Sequence, residues 1–381
     1  MTKEALTYKN VGVDYDLMDP FKRMCQLEAV KTAKNLGRFG LREVAFSRGE
    51  SAYLIEFPDH YLAHVEEGLG TKNLVADEMR KLKLVVKEVY KLTGKTYYDR
   101  ISQCAVAMIV NDMITLGALP VFLAMHLAVA DGDWFVDKQR CCDLVVGWKE
   151  ACDLAGASWG GGETATLKGI IVPGASGISG SAVGIIQPKD QLIDPTFIRS
   201  DDRIVLLESS GVHANGLTLA REIAERHPMG YGAQLSDGSL YGEALLAPTI
   251  IYVKAIEALQ YYGIPIHYAV NITGHGWRKL MRASEPFVYI VEKVPDLQPV
   301  FVFMQERGYL SDREVYGNLN MGAGFALYLS EEDVESAVGI IQNECGIRAW
   351  NAGRIEKRGQ QKKVVIEPKN LVFPGKSLKV R

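Results

Sequence analysis

The stretch SQCAVAMIVNDMITLGALP, Ser102 to Pro120, has the apolar content and length of a buried helix that stops at Gly117 and Pro120. Asn111 and Asp112 interrupt it at its middle. Burying two such side chains without partners costs about 1–3 kcal/mol each. Whatever fold the chain adopts must therefore bring hydrogen-bonding groups to this pair.

At 381 residues the chain is long enough for two domains. Hydrophobic residues at 48% and charged residues at 23% suit a globular protein with a sizeable core. A net charge of −3 gives no bulk attraction to nucleic acid or to an acidic membrane. The longest apolar run, LPVFLAMHLAVA from Leu119 to Ala130, is broken by His126 and falls short of the roughly 18 residues that span a bilayer. MTKEALTYKN has no apolar core, so it does not read as a signal peptide. These features predict a soluble cytoplasmic protein. The six cysteines, Cys25, Cys104, Cys141, Cys142, Cys152 and Cys345, form no CxxC pair and read as buried free thiols.

Strands and helices alternate along the chain. Tyr53–Phe57, Tyr61–Val65, the run SAVGIIQ and Arg203–Glu208 read as strands. Between Val136 and Ala155, the residues Leu144, Val145, Trp148, Cys152 and Ala155 mark one helical face. A helix after SSGVHANG turns Leu217, Ala220, Ile223 and Ala224 inward, and another begins at Pro248. Val334, Val338 and Ile341 mark a late amphipathic helix, and the basic tail from Lys369 is expected to be loosely held. The polar, proline-containing segment Pro188–Asp202 separates a domain of residues 1–190 from one of 191–381.

LTGKTY ends like a phosphate-binding loop, but its first glycine position is Val89, so it reads as a turn. No GxGxxG opens a helix after a strand, and His60 and His64 lie in strand-like sequence where they do not converge on zinc. Five clusters of glycine and polar residues remain: HVEEGLGTKN, VNDMITLGALP, SWGGGETATLKG, SSGVHANG and NITGHGWRKLMR. Glu67, Asp112 and Glu163 supply the hard carboxylate oxygens that Mg²⁺ prefers, beside glycines that let phosphate approach the backbone. The third cluster reads as a loop at this stage, with the glutamate there for metal.

Taken in order, these segments resemble the aminoimidazole ribonucleotide synthetase family, the phosphoribosylformylglycinamidine cyclo-ligases. TYKNVGVDYD is similar to the family's N-terminal segment, EGLGTK to D-G-V-G-T-K, and VNDMITLGALPVF to V-N-D-x-x-x-x-G-A-x-P-x-F. GGETA is identical to the signature, SSGVHANGLTLAR resembles S-S-G-x-H-S-N-G-x-S-L-V-R, and NLNMGAGF resembles F-N-x-G-x-G-M. The resemblance implies an α/β (α+β) fold with an N-terminal dimerising sheet domain and a C-terminal α/β sandwich domain. It implies ATP, Mg²⁺, a small ribonucleotide substrate, a homodimer, and no nucleic-acid or membrane partner. Carried over by position, Glu67, Asn111, Asp112 and Glu163 would hold metal. Lys9, Asp14, Gly68, Gly70, Thr71, Lys72, Gly161, Gly162 and Thr164 would belong to the nucleotide site. His213 and Lys72 would be catalytic, and Asn215 and Gly216 would bind the substrate phosphate.

The chain also departs from the family pattern. Glu67 replaces an aspartate, Thr166 a glutamate, Ala214 a serine and His275 a glycine. Three readings follow: the cyclo-ligase itself, another ATP-dependent phosphoryl-transfer or amide-activating enzyme, or a non-catalytic nucleotide-binding paralogue.

Overall fold

The computed structural model describes residues 5–82 and 96–378. Its strands form two mixed sheets, the first within residues 42–186 and the second within 203–374. We propose the boundary between domains 1–190 and 191–381 in the segment that joins them. Among the described residues, no helix is long and apolar enough to cross a membrane.

The first half contains α1 (Tyr15–Ala29), β1 (Arg42–Glu43), β2 (Tyr53–Glu56), β3 (Tyr61–Gly68), α2 (Lys72–Lys81), α3 (Tyr98–Met113), β4 (Leu119–Val129), α4 (Lys138–Leu154), β5 (Ser158–Thr166) and β6 (Ser176–Ile186). The strands lie in the order β1-β2-β3-β6-β4-β5, antiparallel except for β4 beside β5. A parallel pair cannot be joined by a tight turn, and α4 makes the crossover. The sequence SGISGSAVGII of β6 alternates between buried and half-buried positions along its whole length. Its buried row, Ile178, Gly180, Ala182 and Gly184, is small, so α3 settles close to the sheet. A Cβ at Gly184 would stand 2.3 Å from Met113 Sδ and 2.6 Å from the Leu119 carbonyl oxygen. The opposite row carries Val183 and Ile185, flanked by Leu62 on β3 and Phe122 on β4, and remains open.

The second half contains β7 (Arg203–Glu208), α5 (Leu217–Arg226), α6 (Val253–Tyr261), β8 (Tyr268–Asn271), β9 (Val288–Val291), β10 (Ala323–Leu329), α7 (Val334–Cys345), β11 (Ala349–Glu356), β12 (Lys363–Ile366) and β13 (Leu371–Pro374). The order is β13-β12-β9-β11-β7-β10-β8, with β12 parallel to β9. Every residue of β8, β9 and β10 is buried, the pattern of strands covered on both faces.

Several expectations need correction. SWGGGETATLKG is not a loop: most of it is β5, whose backbone pairs with β4. Gly162 serves close strand approach, since a Cβ there would lie 2.0 Å from the Met125 carbonyl oxygen. Val145 points outward, while Leu144, Trp148, Cys152 and Ala155 are buried as expected. The tail is held as far as the described residues run, because Phe373 is buried in the strand that pairs with β12. Cys25 and Cys142 are exposed thiols, not buried ones. Gly94 and Lys95 of the phosphate-loop look-alike lie outside the described residues.

The close seat of α3 makes a direct prediction. Gly184→Ala should cost about 1–3 kcal/mol through overpacking. Gly177→Ala, whose added carbon would have no neighbour nearer than 3.8 Å, should cost little. Urea unfolding of the two variants checks this contrast.

Candidate active site

The polar pair in α3 finds its partners in the second half of the chain. Asn111 Nδ2 donates to the Ile250 carbonyl at 2.8 Å, and Asn111 Oδ1 accepts from the Tyr252 amide at 2.9 Å. Thr249 is tied to the same helix, its amide donating to Cys104 Sγ and its carbonyl accepting from Gln103 Nε2. These bonds hold residues 248–252 out of helix, so α6 begins at Val253 and not at Pro248. Asp112 Oδ1 accepts from Asn271 Nδ2 at 2.7 Å. Lys72 opens α2 and is fully buried, donating to the His213 and Ala247 carbonyls at 2.8 and 2.6 Å. Burial holds its ammonium pKa below the usual lysine value.

In this structure Asn111 and Lys72 fasten the two halves together. The Asn111 amide is engaged at both ends by backbone, and the buried Lys72 ammonium is held by two carbonyls.

Asp112 faces a cavity of about 410 Å³ together with Glu67, Asn215, Thr273, Lys279 and Arg282. The N-terminal segment lies over it. The Tyr15 ring stacks on His275 at 3.7 Å between centroids, and its hydroxyl accepts from the His275 amide at 3.2 Å. His275 Nε2 lies 3.3 Å from buried Asp19 Oδ2, and Lys22 Nζ is 3.6 Å from Asp19 Oδ1. Burial, reinforced by Arg278, Lys279, Lys22 and Arg282, pushes the His275 pKa down to about 2, so the imidazole is neutral. Lys9 and Asp14 pair at 3.1 Å in an adjoining recess, where Asp14 also caps α1 by accepting from the Asp16 amide.

Burial, and then the Asp112 charge, push the Glu67 carboxyl above the usual glutamate range. A divalent cation would relieve that repulsion. The donor set fits Mg²⁺, which takes one or two carboxylates and fills its remaining positions with phosphate oxygens and water. Burial lowers the Lys279 ammonium pKa, opposed by the charges of Asp112 and Glu67. Lys279 Nζ donates to Thr273 Oγ1 and, at 3.4 Å, to the Asn271 carbonyl.

Glu163 cannot join this pair within one chain. The cross-strand row through Glu67 runs Gly180, Met125, Gly162, whereas Glu163 belongs to the next row with His126 and Ser179. Neighbouring rows point to opposite faces, so Glu67 faces α3 and Glu163 faces the open side, three strand spacings or roughly 14 Å along the sheet. Gly161 and Thr164 share that edge strand. Among the described residues, no three His, Cys, Asp or Glu side chains converge to hold one ion.

His213 is also outside the cavity lining. It is buried, and its Nε2 accepts from the Ser210 amide at 3.2 Å. Burial, with Lys72 adding to the effect, pushes its pKa down to about 3, so the imidazole is neutral near pH 7. Gly216 adopts φ +85° ahead of α5, where a Cβ would strike Leu319 Cδ2 at 2.3 Å, so packing accounts for that glycine. Gly68 and Gly70 turn the chain from β3 into α2, and Thr71 Oγ1 is buried there without a hydrogen-bond partner among the described residues. Sequence reasoning missed Lys279, Arg282, Tyr15, Asp19 and Glu50. Only the basic run in NITGHGWRKLMR hinted at the first two.

Residues 50–186 match the family model described as AIR synthase related protein, N-terminal domain, and residues 199–366 match its C-terminal domain. The chain is 31% identical over 373 residues to a phosphoribosylformylglycinamidine cyclo-ligase of Methanococcus maripaludis, covering 96% of this chain and 98% of the relative. It is 32% identical to one of Rippkaea orientalis, covering 95% and 99%. Among solved structures, a HypE-HypF complex aligns with TM-score 0.56 at 16% identity, covering 85% of this chain and 92% of the other. "AaThiL complexed with AMPPCP and TMP" aligns with TM-score 0.55 at 15% identity, covering 85% and 89%. These structural likenesses establish the fold.

The buried neutral His213 sets a pH dependence. The unfolded chain takes up a proton near 6.5 that the folded chain refuses, so stability is lost as pH falls below about 6.5. His213→Asn should lose less stability than the natural protein between pH 7.5 and pH 5, measured by urea midpoints. Equal losses would contradict the assignment.

Proposed function

Because this chain belongs to the AIR synthase related family across both halves, we propose that it is an ATP- and Mg²⁺-dependent ligase that closes the imidazole ring of formylglycinamidine ribonucleotide. The observation that carries the proposal is the cavity in which Glu67 and Asp112 face Asn215, Thr273 and Lys279 beneath the N-terminal segment. Relatives named cyclo-ligase over nearly the whole chain support the reaction, and a relative structure holding an ATP analogue supports the nucleotide.

In this reading the γ-phosphoryl group passes to the formyl amide oxygen and ADP leaves. The amidine nitrogen then attacks the activated carbon, and the C–O bond breaks to release phosphate. Glu67 and Asp112 would hold Mg²⁺, which supplies charge neutralisation at the phosphoryl oxygens. Thr273 and Asn215 offer neutral hydrogen bonds for orientation, and the Tyr15–His275 stack shields the reacting atoms from water.

The open face of the first sheet completes the proposal. Phe122 is 41% exposed there beside Val183, on a face that also carries Glu163. A second copy packed on this face would make the homodimer and bring in the Glu163 that its own chain keeps from the cavity.

His275 also favours a second reading. Its imidazole stands against Tyr15 and narrows the cavity mouth, which suits an ATP-dependent reaction on a different small substrate. ADP formation from Mg-ATP, with and without formylglycinamidine ribonucleotide, separates the two. The cyclo-ligase predicts substrate-dependent ADP release with an aminoimidazole product, reduced about 10²–10³-fold in Asp112→Asn. ATP binding without such release would favour the second reading.

A further inference from the structure

Beside the carboxylate pair, the cavity holds a cation that makes no ion pair among the described residues. Lys22 is paired with Asp19, and Arg282 Nε lies 3.3 Å from Glu50, which also accepts from the Tyr268 hydroxyl. Among the described residues, Lys279 has only neutral hydrogen-bond partners, the Thr273 hydroxyl and the Asn271 carbonyl. Among the described residues, its positive charge therefore has no carboxylate in direct contact. The Asn271 side chain in turn holds Asp112, so Lys279 and Asp112 are fixed to one residue from opposite sides. Both line the same cavity as Glu67, and all three are substantially enclosed.

We propose that the Lys279 ammonium is a built-in counter-cation of the Glu67–Asp112 pair, competing with Mg²⁺ so that the metal is taken up with the nucleotide and not before it. The inference rests on the reading of that carboxylate pair as the metal site. Two carboxylates and one ammonium leave the group with one negative charge. A bare divalent ion would convert this to a net positive charge in an enclosed site, where charge is costly. A metal arriving on the phosphates brings its own compensating negative charge. Its entry then incurs no such imbalance, and Lys279 is free to turn toward a phosphate oxygen.

The test is binding of Mn²⁺ alone to the nucleotide-free full-length protein, followed by electron paramagnetic resonance of the free ion. Lys279→Gln should bind Mn²⁺ about tenfold or more tightly than the natural protein, since one nearby positive charge is gone. Lys279→Arg, which keeps the charge, should stay weak. Lys279→Met serves as a second neutral variant, and circular dichroism confirms that each variant is folded. Adding Asp112→Asn should abolish the gain. Two neutral, folded variants with unchanged Mn²⁺ affinity would overturn the counter-cation role. If Asp112→Asn still weakened binding of Mn²⁺ with an ATP analogue, the metal-site reading would survive that result. If Asp112→Asn changed neither measurement, the metal-site reading itself would fall, and the inference with it.

Discussion

One helix carries much of the join between the two halves of this protein. α3 is buried along nearly its whole length, with the first sheet on one side and the 247–252 segment on another. Asn111 and Asp112 sit where those surroundings change. Leaving either unpartnered would cost about 1–3 kcal/mol, so the second half must present matching groups. It does so with backbone at residues 250 and 252 and with the Asn271 side chain. Lys72 adds a buried ammonium that crosses the same seam to two carbonyls. The halves are therefore held in one relation by largely enclosed hydrogen bonds, and the cavity at the seam inherits that geometry.

Within the cavity, opposed charges are kept close but incompletely matched. Glu67 and Asp112 repel each other, Lys279 offsets part of that repulsion, and Arg282 is committed to Glu50. Such a site is poised for a polyanion that carries its own cation. The Tyr15–His275–Asp19 contacts place the N-terminal helix over this arrangement, with an imidazole kept neutral by burial and, secondarily, by its cationic neighbours.

The sequence made the family and the strand-and-helix succession legible because those depend on local pattern. Arg203–Glu208 and the inward face of Leu217, Ala220, Ile223 and Ala224 are as expected from period alone. Failures arose where tertiary bonds decide. Pro248 looks like a helix start, but Asn111 holds the following residues extended. The glycines of SWGGGETATLKG look like a phosphate loop, yet most of the segment is paired strand and Gly162 serves its close approach. Lys72 and Asn111 carry polar groups typical of active sites, and nothing local reveals the distant backbone groups that they bond. The separation of Glu163 from Glu67 follows from strand register across three neighbours, which a single strand's sequence does not encode.

The proposal sets Asp112 in one chain's cavity and has Glu163, which lies on the opposite face of the sheet, supplied by a second copy. Mixing Asp112→Asn protein with Glu163→Ala protein tests this most directly, with ADP formation in the presence of formylglycinamidine ribonucleotide as the readout. Each variant alone should be nearly inactive, and the refolded equimolar mixture should recover about a quarter of natural activity, because half the dimers hold one intact site of two. No recovery in a mixture shown to contain mixed dimers would contradict the shared site and return both carboxylates to a single chain.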